Sequence, residues 1–104
     1  MTEPFGLVVR FTLRDGAESG FDELVAQTVR DIGSHEPGTL VYAVHRVADE
    51  PRVRIFYELY RDRAAFDAHE EQAHTRRMLA DREQYLTSVE VDFLTLQVSK
   101  GTDG

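Results

Sequence analysis

Apolar and polar positions alternate near the start of the chain. Leu7, Val9, Phe11 and Leu13 are separated by Val8, Arg10, Thr12 and Arg14, the period of two that gives a β-strand one apolar face. Asp15-Gly16 supplies turn chemistry after it. The period then lengthens. Phe21, Leu24, Val25, Thr28, Val29 and Ile32 fall on one stripe of an amphipathic helix, with Ser19-Gly20-Phe21-Asp22 as a variant capping box at its start and Gly33 as its stop. Glu36-Pro37-Gly38 reads as a turn, residues 39–47 as a strand, Asp49-Glu50-Pro51 as a short connection and residues 52–60 as a third strand. Two strands joined so closely form an antiparallel hairpin. Asp62 suits the N-cap of a helix opening Arg63-Ala64-Ala65-Phe66. Helical character runs to about residue 86, with a break expected near His74-Thr75, and a last strand covers residues 89–98.

The order strand, helix, strand, strand, helix, strand predicts a single α+β domain over residues 1–104. It is the ferredoxin-like βαββαβ arrangement: a four-stranded antiparallel sheet with two helices on one face. The last strand is apolar on both sides, with Val91, Phe93 and Thr95 on one and Leu94, Leu96 and Val98 on the other. The hairpin strands are apolar on both sides too. Because the helices cover one face only, the other is expected to pack against a second copy, as a homodimer joined sheet to sheet.

Composition narrows the function classes. A chain of 104 residues with a formal net charge of −7 lacks the basic excess of a duplex-binding module and is disfavoured at anionic membrane surfaces. It contains no cysteine, which removes disulfides, Fe–S clusters, thiolate zinc sites and thiol catalysis together. Residues 1–5 carry no basic or apolar leader pattern, and no apolar run is long enough to span a bilayer; a cytoplasmic protein is expected. Residues 100–104 read as a frayed tail.

Most of the uncommitted reactive groups fall between Glu58 and His74. Phe56, Glu58 and Tyr60 share one face of the third strand. A carboxylate there is costly to bury without a partner; an arginine ion pair at the surface or at a dimer interface is one way to satisfy it. Ala65, Phe66, His69 and Ala73 form the helix stripe that faces the sheet. His69 is thus either a satisfied core residue or a general acid–base group suited to neutral pH. His74, about 140° further around an ideal helix, reaches the same place only if the helix breaks between them. The spacing i, i+5 differs from the i, i+4 pair of zinc proteases, so no metal site is expected. His35 suits the C-terminal dipole of the first helix, and His45 receives no role. Arg76, Arg77 and Arg82 read as solvated helix charges or dimer contacts. There is no Gly-rich phosphate loop and no nucleophile elbow.

Glu36-Pro37-Gly38, Tyr42, Glu58-x-Tyr60-x-Asp62, Phe66-x-x-His69 and His74 together resemble the antibiotic-biosynthesis monooxygenase family of small dimeric ferredoxin-like proteins. The resemblance covers nearly the whole chain. It implies a pocket between sheet and helices that oxidises quinols, phenols or anthrones with O2 and without metal, flavin or other cofactor. His69 would be the base, Glu58 or His74 would orient it, and Phe56, Tyr60, Phe66 and Tyr42 would line the substrate pocket. The chain departs from the polyketide branch, which carries an amide and a tryptophan on the third strand where this chain has Phe56 and Tyr60. It also departs from the haem-degrading branch, lacking an Asn on the first strand. Residues 54–74 equally resemble the branch that isomerises a phosphorylated autoinducer sugar, where Arg54 or Arg76 would meet the phosphate. A noncatalytic dimeric ligand-binding domain is the third reading, since fold alone does not choose.

Overall fold

The computed structural model describes residues 3–101; the expectations for residues 1–2 and 102–104 lie outside them. The elements are β1 (Phe5–Leu13), α1 (Glu18–His35), β2 (Thr39–Val47), β3 (Glu50–Tyr60), α2 (Arg63–Glu71), α3 (Ala73–Asp81), a 3₁₀ turn (Arg82–Tyr85) and β4 (Leu86–Thr95). The strands form one antiparallel sheet in the order β2-β3-β1-β4. This is the ferredoxin-like α+β fold that the element order predicts. Leu7, Val9, Phe11 and Leu13 of β1 point into the core with Phe56 and Tyr60 of β3, against Phe21 and Val25 of α1 and Met78 of α3.

Several boundaries differ from the sequence reading, each for a local reason. Ser19 and Asp22 do not form a capping box. The helix begins at Glu18, its N-cap Ala17 offers no side-chain bond, and the Asp22 carboxylate is taken by Arg54, at 2.9 Å to each oxygen. Gly33 does not stop α1, which runs on to His35. The helix ends where Pro37 disfavours the helical conformation of the residue before it, and Glu36 accordingly sits at φ −127°, ψ 78°. The β2–β3 connection is only Ala48-Asp49, with Asp49 at φ 66°, a left-handed conformation that Asp tolerates better than most residues. β4 lies three residues earlier than residues 89–98. Its partner β1 fixes both ends: Leu13 pairs with Leu86 and Phe5 with Thr95, beyond which there is no strand to bond.

The helices cover the sheet incompletely. On β4 the helix-side residues Val91 and Phe93 remain 45% and 63% exposed. The molecule is 18 Å across its thinnest direction, which is two layers, and among the described residues no helix covers the back of the sheet. No helix among the described residues is long and apolar enough to cross a membrane.

Candidate functional site

The site begins with a helix cap. Asp62 accepts a hydrogen bond from the Ala65 amide at 2.8 Å, satisfying one of the free N–H groups of the first turn of α2. That start orients the helix so that His69 enters the layer between helix and sheet, where it is buried. The helix stops at Glu71. Gln72 is extended, at φ −65° and ψ 142°, and α3 restarts at Ala73. The break resets the helical phase. His74 therefore swings inward and is buried beside His69, whereas Ala73, expected on the sheet-facing stripe, turns out to solvent.

Both histidines meet on Glu36. His69 Nδ1 lies 2.7 Å from Glu36 Oε1, and His74 Nε2 is hydrogen-bonded to Oε2. Thr39 donates its hydroxyl to Oε1 at 2.7 Å. The Glu36 side chain is only 4% exposed. Burial pushes its pKa up, but the bonds from Thr39 and His74 and the charge of His69 outweigh that, and the carboxyl lies below its ordinary range. A buried carboxylate on Nδ1 assigns that nitrogen as the N–H donor. Nε2, on the opposite edge of the His69 ring, is then the basic atom.

His69 lines a cavity of about 140 Å³ together with Tyr42, Glu58, Phe66, Val91 and Phe93. Glu58 is buried, and its Oε1 accepts the Tyr60 hydroxyl at 2.6 Å. Burial drives the Glu58 pKa up to about 7, against the opposing effects of the Tyr60 bond and the charge of Arg82. Burial, reinforced by the Glu58 charge, raises both Tyr42 and Tyr60 above the usual phenol value; both stay protonated through neutral pH. The cavity thus joins a tautomer-fixed imidazole to a carboxyl that titrates near neutrality, in a mostly apolar chamber.

The structure divides the residues singled out from sequence. His69, Glu58, Phe66 and Tyr42 line the cavity. His74 does not line it and is tied to His69 through Glu36, which lies outside the lining too. Phe56 and Tyr60 do not line it: Phe56 packs in the core against Phe11 at 4.6 Å and Tyr42 at 5.8 Å, and Tyr60 lies fully buried behind Glu58. Neither Glu58 nor His74 bonds to His69; Tyr60 occupies the first and Glu36 the second. Glu58 has no arginine ion pair among the described residues, and Arg54, a candidate for a phosphate, is committed to Asp22. Arg82 is not a plain solvated charge, since it lines the cavity. Glu36 was missed as a site residue. Its signal was Pro37, which ends α1 and turns the preceding carboxylate out of the helix. No group of three or more His, Asp or Glu among the described residues is placed to hold a metal ion.

Residues 4–81 match the antibiotic biosynthesis monooxygenase family. The chain belongs to that family. Among solved structures, Rv0793 from Mycobacterium tuberculosis is 26% identical with a TM-score of 0.84, over 95% of this chain and 99% of its own. PA3566 from Pseudomonas aeruginosa is 24% identical with a TM-score of 0.85, over 94% and 98%. A protein provisionally assigned as an antibiotic biosynthesis monooxygenase from Nitrosomonas europaea is 19% identical with a TM-score of 0.86, over 97% of each chain. At these identities the last two show a shared fold. No curated protein matches the chain. Membership of the monooxygenase family makes an oxygenase the general activity to test, and leaves substrate and mechanism to the site itself.

Proposed function

We propose that the protein is a cofactor-independent monooxygenase of a small electron-rich phenol or quinol, with His69 as general base and Glu36 as the residue that positions it. The observation that carries this is the Nδ1 contact of His69 with a buried carboxylate at 2.7 Å while the same ring lines an apolar cavity. A carboxylate on one ring nitrogen holds the tautomer and stabilises the imidazolium that forms when the other takes a proton.

The chemistry balances without a further reductant. His69 Nε2 removes a proton from the substrate, and the delocalised anion passes electrons to O2 and bonds to one oxygen. The imidazolium returns its proton to the peroxide. The carbon that bears the hydroperoxide then loses its C–H proton as the O–O bond breaks, which leaves a C=O group on the ring and releases one water. For a phenol becoming a quinone, the four electrons lost by the ring equal the four gained by O2. The cavity has room for one ring. A dry apolar cavity of about 150 Å³ holds benzene, so a tricyclic anthrone would protrude past Phe93. The same reading gives a homodimer through the open face of the sheet, as the apolar patch of Tyr57, Leu59, Leu94 and Leu96 on its back requires a cover.

Oxygen uptake by purified protein over a panel of phenols and hydroquinones is the test, with His69→Ala alongside. Uptake that requires His69 is expected. Turnover of an enolisable sugar phosphate without oxygen uptake would replace this reading with the isomerase one.

A further inference from the structure

Two arginines reach the interior of the described structure, and their situations differ. Arg54 is bidentate to Asp22 and bonded to the Pro51 carbonyl at 2.7 Å. Arg82, at the head of the 3₁₀ turn, lies with its guanidinium carbon 5.4 Å from the centroid of the Phe11 ring. Its Nε is buried with no hydrogen-bond partner among the described residues, and it joins none of the ion pairs found among them. A buried donor left without an acceptor is destabilising, and a guanidinium is a planar fork matched to paired or planar oxygen acceptors. The side chain lines the same cavity as His69.

No carboxylate forms an ion pair with Arg82 among the described residues. Glu58, whose charge and that of Arg82 act on one another across the cavity, holds Tyr60, Glu70 is exposed, and Glu18 Oε1 is itself buried without a partner. Much of the remaining wall is apolar, with Leu7, Val9, Phe11 and Met78 among its residues. A chamber that fits one ring, with one unpaired cation at its wall, is complementary to one kind of molecule.

We propose that Arg82 is a ligand-binding residue that selects a single aromatic ring bearing an anionic oxygen, a carboxylate or a phenolate, separate from the hydroxyl that His69 deprotonates. This deepens the oxygenase reading by naming the substrate class of that cavity, and it concerns binding alone. The anion would complete the hydrogen bonding of the guanidinium while the ring fills the apolar chamber.

The experiment is calorimetric titration of the full chain with benzoate, pentafluorophenolate and neutral benzamide, near pH 6.5 and at low salt. At least one anion is expected to bind about tenfold or more tightly than benzamide, as a charge-assisted bond of about 1.4 kcal/mol or more would give. Which anion does so identifies the acidic group. Arg82→Gln is expected to abolish the preference and Arg82→Lys to keep part of it. Equal binding of all three by the wild-type protein overturns the proposal without any variant. A preference that survives Arg82→Gln in a protein with wild-type circular dichroism also overturns it. Should that variant not fold, Arg82→Lys decides, and an unchanged preference there counts against the proposal. His69→Ala is expected to keep the anion preference while losing oxygen uptake, so a failed base and a failed anion site give different results.

Discussion

Two buried glutamates in one small core have opposite electrostatic fates, and each yields a prediction. Glu58 is pushed by burial up to about 7, well above the value for an exposed glutamate. The folded protein therefore holds that proton more tightly than the unfolded chain. Its stabilising contribution is complete below the unfolded pKa and is lost as pH rises through the folded one, between about 4.5 and 7. The full loss is about 3 kcal/mol at about 1.4 kcal/mol per unit. Glu58→Gln, which stays neutral, is expected to remove that slope and to be the more stable protein at pH 8, read as urea midpoints at several pH values. An unchanged slope would mean that Glu58 does not carry it. Glu36 runs the other way: its lowered pKa adds stability above the ordinary carboxylate range that is lost on acidification. Its larger role is the hold on His69. In Glu36→Gln the amide can donate to Nδ1, which moves the ring proton to Nε2 and removes the base. Oxygen uptake is expected to fall by about 10²–10⁴ in kcat, the usual worth of a positioned base, with folding kept. A variant with near wild-type kcat would leave Glu36 a structural residue. None of this pairing could be read from the chain, since the partners of Glu36 lie 33 and 38 positions away and a Glu-Pro-Gly segment is first of all a turn.

At the scale of elements, the site depends on how α2 begins and ends. Asp62 supplies the only side-chain N-cap bond among the described helices, and it sets the face on which His69 lies. Asp62→Ala is expected to cost about 1 kcal/mol and Asp62→Asn much less, measured by denaturant unfolding; equal losses would point to the charge rather than the cap. The cap was legible because Asp before a helical pattern has a local physical meaning. So was β1, whose alternation reflects one buried face directly. The break at Gln72 was legible only in part. An i, i+5 histidine pair requires some interruption to converge, but nothing in Gln72 itself marks the place, and its extended backbone exists because both imidazoles find Glu36. The ends of β4 were displaced for the same kind of reason, because a strand is as long as its neighbour and the neighbour is far away in sequence. From sequence Arg82 reads as a solvated helix charge or a dimer contact, because the 3₁₀ turn after α3, which carries it over Phe11, leaves no periodicity to see.

The whole molecule is a two-layer object with one layer exposed on its far side. Leu94 and Leu96 are 39% and 40% exposed, and with Gly6, Tyr57 and Leu59 they line a shallow hollow on the back of the sheet. A face of four strands about 4.8 Å apart and about nine residues long spans roughly 19 by 30 Å. With side-chain relief, that approaches the ~800 Å² each partner buries in a standard interface. A second copy of the same face has matching dimensions, the same apolar patch of Tyr57, Leu59, Leu94 and Leu96 and the same charged end, where Arg10 lies across from Glu90, and a two-fold contact requires a face that complements itself. Sedimentation equilibrium is expected to give twice the 11.9 kDa chain mass. Leu94→Asp is expected to shift the equilibrium to monomer, because it places a charge where desolvation is most costly. Since Leu94 and Phe93 are neighbours on β4 with opposite faces, the same strand also forms the outer wall of the cavity. Loss of the dimer should therefore loosen that wall and weaken ligand binding, while the His69–Glu36 contact, carried by α2 and the turn after α1, stays intact. A monomeric wild-type protein with full activity would separate the two faces of β4 and leave the sheet's back without a functional role.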